Sequence, residues 1–199
     1  YIRGELTQHF RELVGEAYRG DGVMLDEAAI LGLLDPDIRP SSHRRREYSC
    51  VTAGIDWGDM NWVMVLGLER GNLTPRIINV SWFGDTSTPL AQVTAITNFL
   101  KPHKPDAIIA DFGYGQDRNP ALAKEFGNRF WKCMYPGGEK SANRFTDMDP
   151  DWNRQTGTIK VDRSSALKWW AEMLRAGGLR IPVLDESMLG VIKRHFTDR

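Results

Sequence analysis

Hydrophobic and polar positions alternate along the chain from Ser49 onward, in the pattern that half-buried β-strands produce. Residues 49–58, 61–70 and 75–84 each form such a segment, and short glycine-containing turns separate them. Links this short cannot form the crossover that parallel strands need. We therefore expect three consecutive antiparallel strands.

Helical and strand-like segments alternate over the rest of the chain. Thr88 and Pro89 form a typical helix start, and apolar residues follow them at helical spacing. Residues 106–111 are a continuous apolar run, as expected of a strand that is buried on both faces of a sheet. The remaining predicted elements are strands over 130–137, 157–161 and 179–183, and helices over 119–127, 166–178 (capped by Ser164 or Ser165) and 186–196.

The order β-β-β-α-β-α-β predicts an α/β protein with a ribonuclease H-like fold. Its sheet would be mixed, with three antiparallel strands followed by parallel strands, and helices would flank it. Residues 1–48 differ, because two short amphipathic patterns there lead into a charged, turn-forming segment. We expect residues 1–48 to be a linker or tail of a preceding domain, and residues 49–199 to be the ribonuclease H-like domain, truncated at its C-terminal end.

Two aspartates stand where hydrophobic strands end. Asp56 ends the first predicted strand and Asp111 ends the fourth, and these two strand ends lie side by side in the expected fold. Two neighbouring carboxylates are costly unless a cation neutralises them, and oxygen ligands suit Mg²⁺ or Mn²⁺. Either aspartate alone would more commonly stabilise a turn. The pair, in matched positions, favours a metal site.

Composition narrows the classes of function only slightly. The 199 residues include 26 basic and 26 acidic side chains, and a zero net charge neither supports nor excludes nucleic acid, whose footprint is a local patch. No apolar run reaches the roughly 18 residues of a membrane span. Two cysteines and four scattered histidines give no zinc-site spacing. Because the chain begins at Tyr1, we expect it to be part of a longer polypeptide.

Basic residues in two places are candidate contacts to DNA phosphates. Arg44, Arg45 and Arg46 form one cluster in the predicted linker, where a solvated charge run is the simpler interpretation. Lys160 and Arg163 form the other, where a solvated hairpin end is equally expected.

Two further aspartates sit in turns that follow the paired strand ends. Asp59 and Asp117 could bind a metal through water, but stabilising a turn is the more common role of such residues.

Several segments resemble the nuclease domain of bacteriophage terminase large subunits. They are "GIDWG" around Asp56, "IIADFGYG" around Asp111 and the later "VDRSSALKWWAEMLRAGGLRIP", and the resemblance covers residues 49–199. It implies a metal-dependent endonuclease that cleaves double-stranded viral DNA concatemers during genome packaging. Asp56 and Asp111 would bind Mg²⁺ or Mn²⁺, with two ions in the complete protein.

The resemblance also implies partners and a location. Residues 1–48 are similar to the stretch that links a terminase ATPase domain to its nuclease, so the ATPase domain would belong to the same polypeptide. The portal protein and the small terminase subunit would be further partners. The host cell cytoplasm, at the assembling procapsid, would be the site of action.

Two departures from the family pattern matter. The sequence contains no GxxxxGK[ST] phosphate loop. The family also uses a third acid on a C-terminal helix, and no clear match precedes Arg199. Asp185 and Asp198 are late candidates, but each is more simply a surface residue, so we expect the third ligand elsewhere.

Three alternatives remain open. The chain could be another ribonuclease H-like enzyme, of the junction resolvase or transposase type. It could belong to the sugar-kinase and actin-like ATPases, although these need a second phosphate loop and a larger chain. It could also be a non-catalytic module that docks on DNA or on a portal, and such a module would tolerate loss of Asp56.

Overall fold

The computed structural model describes residues 31–38, 46–58, 60–71, 75–84, 88–135 and 151–183 of the chain. The strands are β1 (Leu34–Asp35), β2 (Tyr48–Asp56), β3 (Met60–Glu69), β4 (Pro75–Gly84), β5 (Ala107–Asp111), β6 (Phe130–Met134), β7 (Asp151–Asn153), β8 (Thr158–Lys160) and β9 (Ile181–Pro182). The helices are α1 (Pro89–Leu100), α2 (Asn119–Phe126) and α3 (Arg163–Arg175).

Seven strands form one mixed sheet in the order β4-β3-β2-β5-β6-β8-β7. β2, β3 and β4 pair antiparallel, as their short connections require. β5 pairs parallel with β2, and β6 and β8 continue the parallel part, while β7 returns antiparallel to β8. The predicted fold class, a ribonuclease H-like mixed sheet flanked by helices, is confirmed.

The first face of the sheet is covered by α1 and α2. Strand residues that alternate along β2 and β5 supply one side of this core, and apolar residues of both helices supply the other. Its fully buried members include Val51, Val63, Val65, Ile96, Leu100, Ile108, Ala110 and Leu122. Pro89 begins α1, and the Thr88 hydroxyl accepts a hydrogen bond from the N–H of Ala91 at 3.4 Å, so the predicted cap is confirmed.

The second face carries a smaller core that includes Leu174 of α3. Leu33 packs there with Ile77, Leu174, Leu179 and Ile181. β1 and β9 form a separate two-stranded parallel sheet beside it. Residues that precede the main sheet in sequence therefore contribute to this core.

One predicted cap is wrong. α3 begins at Arg163, so Ser164 and Ser165 lie inside the helix. The N–H of Ala166 donates to the carbonyl of Asp162 at 3.0 Å, which puts Asp162 at the N-cap position. The helices predicted over residues 6–18 and 186–196 lie outside the described residues, as does most of the one predicted over 25–34. The described end of that helix is helical at Leu31 and Gly32, and Leu34 already begins β1. Within the described ranges, no helix is long and apolar enough to cross a membrane.

Candidate metal and phosphate site

The C-terminal ends of β2 and β5 bring two carboxylates together. The parallel register pairs Ile55 with Ala110, so Asp56 and Asp111 occupy the next position on each strand. Neighbouring strands are about 4.8 Å apart. Ile55 and Ala110 point into the first core, and side chains alternate, so both aspartates lie on the second face.

The surroundings of the two aspartates are open to a ligand. Asp56 is exposed and Asp111 is partly buried. At Gly113 a Cβ would stand 3.4 Å from Oδ2 of Asp111, an ordinary van der Waals contact, so this residue lies beside the carboxylate. Gly54, on the same face of β2, has no heavy atom within 4 Å of the place where a Cβ would be. This face at the strand ends can therefore admit another molecule.

A buried amide joins the two strand ends. The indole N–H of Trp57, the residue after Asp56, donates to Oδ1 of Asn119 at 3.0 Å. The Nδ2 group of Asn119 donates to the main-chain carbonyl of Asp111 at 3.0 Å. Both Trp57 and Asn119 are 2% exposed. A Cβ at Gly115 would overlap with Nε1 of Trp57, so only glycine fits at this close approach.

The turn after Asp56 is held by Asn61, which is fully buried. Its Oδ1 accepts from the N–H of Gly58 at 3.4 Å, and its Nδ2 donates to the carbonyl of Phe83 at 3.1 Å. These bonds fix the chain where it leaves β2. Asp59, a weaker candidate ligand in this turn, lies outside the described residues.

Arg118 braces the loop that follows Asp111. Its Nε donates to Gln92 at 2.7 Å, its Nη1 donates to the carbonyl of Tyr114 at 3.0 Å, and its guanidinium stacks 5.3 Å from the Trp57 ring centre. The exposed carboxylate of Asp117 lies 3.6 Å from Arg118. This ion pair agrees with the turn-stabilising interpretation of Asp117.

The strand next to Asp111 on its other side is β6. Cys133 belongs to β6, and Tyr135 directly follows that strand. Cys133 pairs in register with Asp111. Burial raises the pKa of the Cys133 thiol, a hydrogen bond with Tyr135 opposes that rise, and Asp111 adds to it. Partial burial raises the pKa of the Tyr135 hydroxyl far above its ordinary value, and Cys133 and Asp111 raise it further, whereas Arg163 lowers it. The phenol therefore stays protonated and can donate a hydrogen bond.

Arg163 is the predicted DNA contact that lies near Tyr135. Its guanidinium lies 5.8 Å from the centre of the Tyr135 ring, and its charge and that of Asp111 both influence the Tyr135 hydroxyl. The exposed Arg163 side chain, at the start of α3, therefore supplies a cation close to Tyr135, whose hydroxyl also lies within the influence of the Asp111 charge.

The other predicted DNA contacts lie elsewhere. Lys160 pairs in register with Met134, one position after Cys133, so alternation puts its side chain on the face opposite Asp111. Its Nζ lies 3.8 Å from Asp151. Arg46 is exposed, and its carbonyl accepts from Nε of Arg70 at 2.8 Å. Arg44 and Arg45 lie outside the described residues.

The donor set fits a hard divalent cation in part. Two carboxylates at rigid strand ends offer the oxygen ligands that Mg²⁺ and Mn²⁺ prefer. Among the residues that the structure describes, no group of three His, Cys, Asp or Glu side chains could hold a metal ion. Asp185 and Asp198 lie outside those residues. Asp56 and Asp111 are therefore a partial ligand set.

Sequence reasoning missed Asn119, Trp57 and Tyr135. Asn119 begins a helix, where an asparagine is ordinary, and nothing local in the sequence indicates its contacts. For Tyr135 the sequence predicts only a place in a strand. A weak signal existed for Trp57, because a large aromatic directly after a strand-end aspartate must pack somewhere nearby.

No protein-family model and no curated protein sequence matches this chain. The large terminase nuclease of thermophilic phage G20c is similar in structure, with a TM-score of 0.47 and 17% identity over 74% of this chain and 67% of that one. The nuclease domain of the large terminase g2p of bacteriophage SPP1, a structure with bound Mn, gives a TM-score of 0.39 and 15% identity over 71% and 93%.

A large terminase from another thermophilic bacteriophage, in its crystal form 3, matches with a TM-score of 0.50. The identity is 13%, over 81% of this chain and 35% of the terminase, so the chain spans about a third of that protein. An identity this low establishes the fold alone. The chain has the ribonuclease H-like fold, and this phage large terminase shares it.

Proposed function

We propose that this chain is the nuclease part of a phage large terminase and cleaves double-stranded DNA in a metal-dependent reaction. The observation that carries the proposal is the in-register position of Asp56 and Asp111 at the ends of β2 and β5. Two carboxylates held side by side on rigid strands, with one of them exposed, are suited to binding a cation rather than to packing.

Asp56 and Asp111 would hold Mg²⁺ or Mn²⁺, and a third acid would be needed for a second ion in the complete protein. When bound, such ions supply Lewis acidity that promotes ionisation of a water and stabilises charge on the phosphate. The reaction is hydrolysis of a phosphodiester. A bond forms between the water oxygen and phosphorus, one P–O ester bond breaks, and the departing oxygen gains a proton.

Arg163 and Tyr135 would orient the scissile phosphate. The guanidinium of Arg163 carries a permanent charge and several N–H donors, which match the oxygens of a phosphate. The Tyr135 hydroxyl stays protonated, so it can donate as well. Neither residue reads a base, which agrees with cleavage that is largely independent of sequence.

The wider assignment rests on the sequence resemblance and on the fold shared with a phage large terminase at a TM-score of 0.50. On this proposal, residues 1–48 lead from an ATPase domain of the same polypeptide and residues 49–199 form the nuclease. The portal protein and small terminase subunit would be partners. The reaction would take place in the host cytoplasm, at the procapsid.

Digestion of supercoiled plasmid tests the proposal. We expect nicked and linear products with Mn²⁺ or Mg²⁺ and intact plasmid with EDTA. A Lys101→Gln variant is a matched control, because Lys101 forms an exposed ion pair with Glu125 at 2.6 Å and takes no part in the site. Plasmid that stays intact with Mn²⁺ at every protein concentration would contradict the nuclease assignment.

A second substrate separates the alternatives. A junction resolvase cleaves a four-way junction in preference to a linear duplex of the same sequence, whereas the terminase proposal expects no such preference. A docking module would bind DNA and cleave neither substrate.

A further inference from the structure

We propose that Asn119 is a positioning residue that sets the separation of Asp56 and Asp111. The proposal deepens the function given above, because it concerns how the same two carboxylates are held for a metal ion. Asn119 itself touches neither carboxylate: its side chain bonds to the Trp57 indole and to the Asp111 carbonyl.

The β2–β5 ladder ends just before the two acids. Its last register pair is Ile55 with Ala110, so no regular pairing joins Asp56 to Asp111. Asn119 supplies a connection at that point, since one of its two bonds holds the residue after Asp56 and the other holds Asp111 itself. The amide thus extends the coupling between the strands by one residue, to the position where the carboxylates stand.

The two partners require a side chain that can both accept and donate a hydrogen bond. An indole N–H can only donate and a main-chain carbonyl can only accept. One side chain must therefore accept on one side and donate on the other, and the buried Asn119 does both. A carboxylate could accept from the indole but could not donate to the carbonyl, so Asn119→Asp should fail almost as badly as Asn119→Ala.

Two neighbours hold the Trp57 end of this connection. Gly115 leaves no room for the indole to shift toward its loop, and the Arg118 guanidinium stacks on the indole ring. Because the Trp57 ring is held in place, it is a fixed anchor for Asn119. The second hydrogen bond of Asn119 then fixes the Asp111 carbonyl relative to Trp57.

Metal affinity tests the proposal without relying on cleavage. We expect Asn119→Ala and Asn119→Asp to weaken Mn²⁺ binding by about 10- to 100-fold, the range seen when groups that orient metal ligands are removed. Binding is measured by titrating free Mn²⁺ by electron paramagnetic resonance, with the 199-residue chain and each variant. Thermal unfolding of the same samples records the change in stability.

The matched control is Asn79→Ala. Asn79 also forms a side-chain hydrogen bond within the fold, to His103 at 3.1 Å, and lies on β4, away from the acids. Its loss should lower stability and leave Mn²⁺ affinity unchanged. If Asn119→Ala fails to fold, Trp57→Phe removes the indole donor together with part of the ring, and it should still weaken Mn²⁺ binding severalfold.

The outcomes separate this inference from the proposed function. Wild-type Mn²⁺ affinity in Asn119→Ala, together with lower stability, would overturn the positioning role and leave the nuclease assignment standing. A second outcome is that the variant binds Mn²⁺ more weakly than the wild type, but the wild-type chain itself never cuts DNA. That outcome would support the positioning role and overturn the nuclease assignment. A wild-type chain that binds no Mn²⁺ would overturn the positioning role.

Discussion

β5 has an aspartate at each end, and the two are used differently. Asp106, directly before the strand, accepts the N–H of Val51 on its Oδ2 at 2.8 Å, and its own N–H donates to the carbonyl of Val51 at 2.7 Å. At the other end, Asp111 is held through its main-chain carbonyl by Asn119. The hydrogen bond from Asn119 does not use the Asp111 carboxylate.

The comparison shows how a carboxylate becomes structural or available. Asp106 satisfies a main-chain donor of the neighbouring strand, so its charge is used to close the β2–β5 pairing. At the Asp111 end a neutral amide does that work, and the carboxylate beside Asp56 can serve a ligand. Residue type alone therefore does not identify the site.

The largest expected effect comes from the two carboxylates proposed to bind the metal ion. Asp111→Asn and Asp56→Asn should each lower the rate of plasmid cleavage by at least about a hundredfold, since a metal ion supplies several kcal/mol of transition-state stabilisation. Stability should hold or rise slightly, because neighbouring like charges repel. Single-turnover cleavage and urea unfolding of the same variants check both. A stable Asp56→Asn protein that cleaves at the wild-type rate would favour the docking-module alternative.

Asp106→Ala should instead lower stability and leave metal binding intact. Its loss leaves the Val51 N–H without this charged acceptor, and hydrogen bonds to charged groups contribute about 1.5–3 kcal/mol. We expect the free energy of unfolding to fall by that amount, with Mn²⁺ affinity retained. If Asp106→Ala loses as much Mn²⁺ affinity as Asp111→Asn, the two aspartates do not have these different roles.

Gly115→Ala tests the packing at the Asp111 end. The added methyl group would overlap with the Trp57 indole, and overpacking of this kind costs about 1–3 kcal/mol of stability. Gly54→Ala is the control, because it has open space around the new methyl group and a strand favours alanine over glycine by about 0.5–1 kcal/mol. Denaturant unfolding should rank Gly115→Ala below wild type and Gly54→Ala at or above it.

The fold was largely predictable because its signals are local. The strand expected over residues 75–84 is observed as Pro75–Gly84, and the α1 start follows from the adjacent Thr88 and Pro89. The α3 cap was wrong because Asp162 and Ser164 are both good caps, and sequence alone does not show which carbonyl accepts the first helical bond. β1 was missed because two residues show no periodicity.

Of the site, the sequence indicated the two acids and Arg163 but not the residues that hold them. Asp56 and Asp111 each follow an apolar run, so the topology indicated that they would be neighbours, and the register confirms that adjacency. The bond from Trp57 to Asn119 joins residues 62 positions apart, and it depends on how a loop folds back onto a strand end. No periodic pattern encodes that contact. The role of the two acids in metal binding stays a prediction.

His103 lies in the turn before Asp106, and its lowered pKa predicts that acid destabilises that end of the sheet. It is buried, burial lowers its pKa below the ordinary 6.5, and its Nε2 lies 3.1 Å from Nδ2 of Asn79. In this pH range the unfolded chain binds more protons than the folded chain, so the contribution of His103 to stability is present above pH 6.5 and is lost as pH falls through the lowered pKa.

We therefore expect His103→Gln to flatten the loss of stability below pH 6.5 relative to wild type. Urea unfolding at a series of pH values measures this. Identical pH dependence in the two proteins would show that His103 does not titrate differently on folding. Asn119, at the opposite end of β5, has no titrating group of its own, so Asn119→Ala should keep the wild-type slope.

The smallest expected effect is on the salt dependence of DNA binding, which should differ between the two faces of the sheet at the Asp111 end. Arg163 lies near Tyr135 on the side of the acids, whereas Lys160 lies on the other face, paired with Asp151. In an Asp111→Asn background that cannot cleave, Arg163→Gln should lower the slope of log affinity against log salt by about one, the value of one phosphate contact. Lys160→Gln should change the slope by much less. Fluorescence anisotropy with a labelled duplex between 50 and 200 mM salt, roughly the range over which phosphate contacts dominate, gives both slopes. If the slope falls equally in the two variants, then DNA contacts both faces alike. Arg163 would then not be a specific neighbour of the scissile phosphate.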